Sequence, residues 1–252
     1  MSQYSPNQVR KILFETIIAG STLALIGYFI YWIKDFEHRL TKLEDNVDAI
    51  SNSYPKSAFI GGYPYTVYRG TDSAPDGSVV LKVDIQILSK DYRWECLSKT
   101  QIEGNNLPDI NEIIKDYSDD RELKDAVGIV CVGTASSEGN DLDEEDRAYG
   151  RAKTLVDIVK QNLISKKDIP VLGLNFGRYN RTIKGPCTDA TINQRLIVIV
   201  KIIERSEKLT DEGLESSLRK LFVEKAANLN SRFPIDITQY TMYHSRQSML
   251  VK

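Results

Sequence analysis

Two histidines, His38 and His244, and three cysteines, Cys96, Cys131 and Cys187, are all that this 252-residue chain holds of those residue types. Neither set has metal-ligand spacing and the two never cluster, so no zinc site, and no other metal or cofactor, is expected. A Ser-His-Asp or Cys-His nucleophile would have to draw on the same two histidines. His38 follows an apolar segment and His244 lies in the tail, so an enzyme is not expected. An excess of charge is lacking too: 33 basic against 35 acidic residues leave −2, which removes any global attraction to nucleic acid. No segment repeats internally. With 41% hydrophobic and 27% charged residues, the chain is neither a disordered tail nor a multi-span membrane protein.

What is present begins with Thr16–Ile33, 18 positions without a charge. At the helical rise they cover about 27 Å, close to the hydrocarbon thickness of a bilayer. Tyr28, Tyr31 and Trp32 crowd the C-terminal end, where amphipathic rings favour the headgroup level. No small-x-small cleavage site follows, so the segment reads as a single-pass anchor rather than a removed signal peptide. With Ile12, Leu13 and Phe14 the membrane helix is placed at 12–33, after a flank at 1–11. Glu15 stands one turn after Lys11 near the interface, where a paired or solvated carboxylate outweighs a proton-relay role.

Beyond the anchor, Ile33, Phe36, Leu40, Leu43, Val47 and Ile50 follow the alternating three-four spacing of a coiled-coil seam. Residues 34–52 therefore form a stalk that joins two copies into a homo-oligomer, or an amphipathic helix that packs on its own domain. Residues 53–78 read as a linker with turns, with a short strand within Tyr63–Tyr68. The globular part is placed at 79–252. Val79–Leu88 alternates as a strand, and Val127–Val132 is an apolar run suited to a central one, with Cys131 a small core hydrophobe. Pro170–Leu174 and Leu196–Ile203 are further strands. Helices fall from Pro108 to about 118, from about Glu144 to Leu163 on a stripe of Tyr149, Ala152, Val156, Val159 and Leu163, and from Thr210 or Asp211 onward. The order β-α-β-α-β-β plus a helix predicts an α+β sandwich with one sheet face covered.

Directly after the buried strand comes Gly133, opening GTASSEGNDLDEEDRAYGRA. This stretch resembles the outer-membrane protein A-like (OmpA-like) peptidoglycan-binding family, in which a strand ends in glycine, a loop carries threonine, aspartate and a second glycine, and a helix carries Arg-Ala. Gly133, Gly139, Arg151 and Ala152 fall at the family spacing, and Asn193 and Arg195 match its Asn-Arg-Arg segment before the last strand. The resemblance spans roughly residues 79–203. It implies a site at Thr134, Ser136, Arg147, Arg151, Asn193 and Arg195 for the diaminopimelate of peptidoglycan, with arginine holding a carboxylate and aspartate an amino group. The chemistry suits that assignment, because a loop entering a helix offers N–H groups and an arginine a planar fork. This chain departs from the pattern: Ser136 stands where the family has its aspartate, and Glu144 where it has an asparagine. Loss of a charged hydrogen bond of about 1.5–3 kcal/mol weakens recognition of an ammonium. Arg151 is alternatively a structural arginine bonding loop carbonyls.

A second cluster, Arg178, Tyr179, Arg181 and Lys184, suits phosphate, nucleic acid or an acidic partner, or plain solvation. Three functions follow. One is a membrane-anchored envelope protein binding peptidoglycan or a modified cell-wall ligand. Another is a partner-binding or sensing module that has lost wall binding. The third is a stator-like subunit beside a membrane-protein partner, although such subunits carry an aspartate within the membrane helix. Arg10 and Lys11 before the anchor balance Lys34, Arg39 and Lys42 after it, so charge does not decide orientation. The resemblance favours a bacterial inner-membrane protein with its domain in the periplasm. An odd cysteine count argues the other way, since three thiols cannot all pair.

Overall fold

The computed structural model describes residues 7, 10, 28–36, 39, 55–103, 109–119, 123, 125–137, 141–163, 169–180, 194–229, 233–243 and 250–251. The chain forms two compact units, 1–51 and 52–252. In the first, 28–36 is helical, and its apolar residues, Tyr28, Phe29, Ile30, Tyr31, Trp32, Ile33 and Phe36, are exposed all round the helix. Most of the Thr16–Ile33 run, and the stalk seam from Leu40 to Ile50, lie outside the described residues, as do Glu15, His38 and His244. Among the described residues, no helix is long and apolar enough to cross a membrane.

The second unit is mixed α+β. Strands β1 (Lys56–Ile60), β2 (Tyr63–Ser73), β3 (Val79–Leu88), β6 (Gly128–Ala135), β7 (Val171–Arg178), β8 (Val198–Arg205) and β9 (Leu250–Val251) make one sheet in the order β1-β2-β3-β8-β6-β7-β9. Among the described strands, only β6 and β7 run parallel. A parallel pair needs a crossover, which helix α2 (Asp141–Leu163) supplies. The remaining strands, β4 (Arg93–Trp94) and β5 (Ile102–Glu103), form a separate hairpin.

Period-two alternation sends apolar side chains to both faces. Val83 and Ile85 of β3, Val130 and Val132 of β6, and Val198 and Val200 of β8 point to one core. Ile129 and Cys131 of β6 and Ile197 and Ile199 around β8 point to the other. Helix α3 (Asp211–Leu229) covers the first face with Leu214, Leu218, Leu221 and Phe222, helped by Phe233, Ile235 and Ile237 farther on. Helix α1 (Ile110–Asp119) and α2 cover the second with Ile110, Ile113, Tyr117, Leu155 and Val159. The expectation of one covered face is therefore corrected to three layers. The uninterrupted apolar run of β6, all eight residues buried, already demanded this.

The expected linker 53–78 is also corrected. It carries β1 and β2, and β2 pairs along β3 from Tyr65↔Leu88 to Ser73↔Val79. Its turn residues mark the ends of strands: Gly61 and Gly62, both at positive φ, join β1 to β2, and Gly77, likewise, joins β2 to β3. On the α1 side, Arg69, Asp84 and Lys201 stand in register across three strands, with Arg69 Nε 2.9 Å and Lys201 Nζ 3.7 Å from the buried Asp84 carboxylate. A buried charge needs such partners.

Helix ends follow their caps. Asp109 accepts from the Asn111 N–H at 3.3 Å, and Thr210 Oγ1 from the Gly213 N–H at 3.2 Å. The α2 stripe falls at Ala152, Val156, Val159 and Leu163 as expected, widened by Ala148 and Leu155, while Tyr149, 44% exposed, turns outward.

Candidate functional site: an arginine pocket occupied by a hairpin

Strand β6 and helix α2 meet at Gly133. A Cβ there would lie 2.0 Å from the Ala148 carbonyl oxygen and 2.8 Å from the Ala152 Cβ. The glycine and the alanines are thus required by close strand–helix approach. This contact brings the α2 turn that carries Arg151 against the end of β6 at Thr134.

Arg151 is wholly buried. Its Nη1 donates to the Thr134 carbonyl at 2.8 Å, its Nε to the Ser98 carbonyl at 2.9 Å and its Nη2 to the Glu95 carbonyl at 2.9 Å. The guanidinium carbon lies 5.6 Å from the centroid of the Trp94 ring. Backbone oxygens of the β4–β5 hairpin therefore take the positions where a carboxylate would meet the fork. Lys99 adds an ion pair to Asp146 of α2 and rests against Gly150.

The hairpin is fastened from the other side as well. The Trp94 backbone N–H donates to the Arg195 carbonyl at 2.8 Å, and Arg195 Nη1 returns a bond to the Trp94 carbonyl at 3.1 Å. Arg195, 1% exposed, also pairs with Glu103, which accepts two bonds from Arg93 at 3.1 Å. Burial disfavours a charged Glu103, but the hydrogen bonds and charges of Arg93 and Arg195 outweigh it and hold its carboxyl below the ordinary glutamate value. Thr134 Oγ1 donates to the Gln194 carbonyl at 2.9 Å, tying the β6 loop to the entry of β8.

Of the expected site residues, Thr134, Arg151 and Arg195 are thus brought together around the hairpin. Ser136 is buried in the same loop, while Arg147 pairs with the fully buried Glu144 one turn earlier on α2. Asn193 lies outside the described residues, as do Arg181 and Lys184. Tyr179 of the basic-aromatic cluster stacks edge-on against Tyr240 at 5.4 Å, a packing role. A cavity of about 520 Å³ beside β1 and β2, lined by Phe59, Pro64, Tyr65, Thr66 and Leu88, includes none of the expected site residues.

Sequence reasoning missed Trp94, Glu95, Ser98 and Glu103. Two-residue strands carry no readable periodicity, and carbonyl acceptors are independent of side-chain identity. Cys131 is the core hydrophobe expected of it. Cys96, partly exposed on the hairpin, is disulfide-bonded, whereas Cys131 is free. Burial in the core pushes the Cys131 thiol far up, so it is unreactive at neutral pH.

No protein-family model matches the chain, and no curated protein matches it. One solved structure that matches is the OmpA-like domain of FopA1 from Francisella tularensis. It is 13% identical, with a TM-score of 0.33 over 61% of this chain and 99% of that one.

Proposed function

We propose that this chain is a non-enzymatic, membrane-anchored envelope protein whose second unit is an OmpA-like partner-binding module with its wall-binding pocket held shut. The observation that carries this reading is that all three guanidinium nitrogens of Arg151 donate to backbone carbonyls, those of Glu95, Ser98 and Thr134. A guanidinium engaged in that way offers no fork to diaminopimelate, and Ser136 supplies no carboxylate for the amino group. The Gly133–Ala152 contact and the motif spacing support the OmpA-like build. The all-round apolar exposure of 28–36 supports an anchor, because such a surface needs a lipid or protein cover. A disulfide at Cys96 supports a periplasmic domain, since such bonds persist on the oxidising side.

The test is cosedimentation of the full chain, in detergent micelles, with purified peptidoglycan sacculi. Wild type is expected to stay in the supernatant. Ser136→Asp alone should not bring it down, since the arginine remains occupied. The reading is overturned if wild type pellets with sacculi, is released by free diaminopimelate, and loses binding in Arg151→Ala at an unchanged melting temperature.

A further inference from the structure

Strand β1 ends the sheet, and its outer edge is open. Gly61 and Gly62, with φ of 57° and 85°, make the two-residue turn that closes the hairpin on the pair Ile60↔Tyr63. In such a turn the closing residues bond each other. Alternation then directs the backbone groups of Ile60, Ala58 and Lys56 to β2 and those of Phe59 and Ser57 outward. Pro64 agrees with this phase. It stands opposite Phe59, has no N–H to offer, and its carbonyl accepts from the Ser89 N–H at 2.9 Å on the β3 side. Among the described residues, none bonds to the outward groups of Phe59 or Ser57. Ser57 and Phe59 also share a face, opposite to that of Ala58 and Ile60, and the Phe59 ring is 76% exposed. On that face lies the cavity of about 520 Å³, whose floor crosses Ser57, Thr66 and Ile87 in register. Ser57 and Thr66 are small, so the row sinks where it nears the edge. A hollow able to take a ring and a ring without cover thus stand side by side on one surface.

We propose that β1 is a docking edge for a second copy of this chain: two β1 strands pair antiparallel about Ala58, and Phe59 of each copy enters the cavity of the other. A two-fold axis through Ala58, normal to the sheet, sets Ser57 opposite Phe59 of the second copy. Both residues direct their backbone groups outward, so the pair exchanges two hydrogen bonds on each side of the axis. The axis keeps like faces together. The incoming ring therefore lands beside Ser57 on the cavity side and lies over Ser57 and Thr66. Pairing about Phe59 instead would set the two rings against each other and leave both cavities empty. Lys56, the one charge on β1, falls opposite Ile60, so the like charges of the two copies stand at opposite ends. One surface that carries both the protruding group and its receptacle is the mark of an isologous interface, and a foreign strand has no need of it. The contact is short, so it is weak between free molecules and gains from chains held on one membrane. It uses none of the residues around Arg151, so it stands or falls apart from the closed pocket.

The test is disulfide crosslinking of the full chain in membranes of the expressing cells, comparing Ala58→Cys with Lys56→Cys. The unsubstituted chain, with its native cysteines, is the blank. At the axis the Cα atoms of the two copies stand about 4.5 Å apart, which suits a disulfide, so Ala58→Cys should give a covalent homodimer under mild oxidation. The two copies of position 56 are about 14 Å apart in this register, so Lys56→Cys should crosslink several-fold less. Adding Phe59→Ala to Ala58→Cys should cut the homodimer several-fold at an unchanged melting temperature, because the ring is exposed in its own chain. Phe59→Leu, which still fills the hollow, should keep most of it. Equal crosslinking at 56 and 58 overturns the proposal, because two domains merely tethered side by side would give that result. A homodimer that persists undiminished with Phe59→Ala overturns the exchange of rings. No homodimer through Ala58→Cys, or an adduct with a different protein in its place, overturns the second copy as the occupant of this edge.

Discussion

At Gly133 a single methyl group would meet backbone rather than a movable side chain, with the Ala148 oxygen 2.0 Å away. Gly133→Ala should therefore push α2 off β6 and cost about 1–3 kcal/mol or more, read as a lower midpoint in urea. A midpoint equal to wild type would mean that the helix rides more loosely than this distance requires. Leu97 predicts the opposite sign. Leu97→Gly removes the left-handed penalty at an exposed site and should raise the stability of the oxidised domain by about 0.5–1 kcal/mol. At this scale the sequence was legible where a residue type has one reason to be there. Gly133, Arg151 and Ala152 could be found from spacing, but the partners of Arg151 could not, since any residue at 95 or 98 supplies the same carbonyl.

The hairpin β4–β5 depends on charge, and its dependence on pH follows from Glu103. The carboxyl is held below its ordinary value in the folded state, so its contribution is fully present above the unfolded glutamate pKa. It is lost as pH falls through the depressed folded value. Acidification through and below the ordinary carboxylate range should therefore loosen the hairpin, read as a red shift of Trp94 emission in the Trp32→Phe background. Glu103→Gln should show much of that shift already at pH 7. Trp94 emission that stays constant until the whole domain unfolds would assign the docking to Arg151 alone. Elements with a long period were readable in advance: β3, β6, β8, α1 and α3 all fall where alternation or a helical stripe places them. The stretch 53–78 was not, because its glycines and prolines look the same whether they end strands or fill a linker. Only pairing with β3, a tertiary event, distinguishes the two.

The apolar sheath of 28–36 makes a prediction for the molecule as a whole. The full chain should remain with membranes through alkaline carbonate extraction, and a truncated chain beginning at Pro55 should be released without detergent. Full-length protein in the carbonate supernatant would remove the anchor from the proposed function. The double substitution Leu40→Asp with Leu43→Asp should lower crosslinked dimer in membranes if the stalk seam joins two copies. Unchanged crosslinking would return those leucines to packing within one chain.

The sheet order also sets a schedule. The β2–β3 hairpin is complete by Leu88, yet the inner edge of β3 receives its neighbour only with β8, where Val83 pairs with Ile202 and Ile87 with Val198. Until then a strand whose one face is the apolar row Leu81, Val83, Ile85 and Ile87 carries an open row of backbone donors and acceptors, the form in which chains add to one another. A chain still being synthesised therefore spends more than a hundred residues of its length unable to close its own centre. Fragments that stop before Val198 should aggregate, whereas those that continue through Leu229 gain both the missing strand and the helix that seals it.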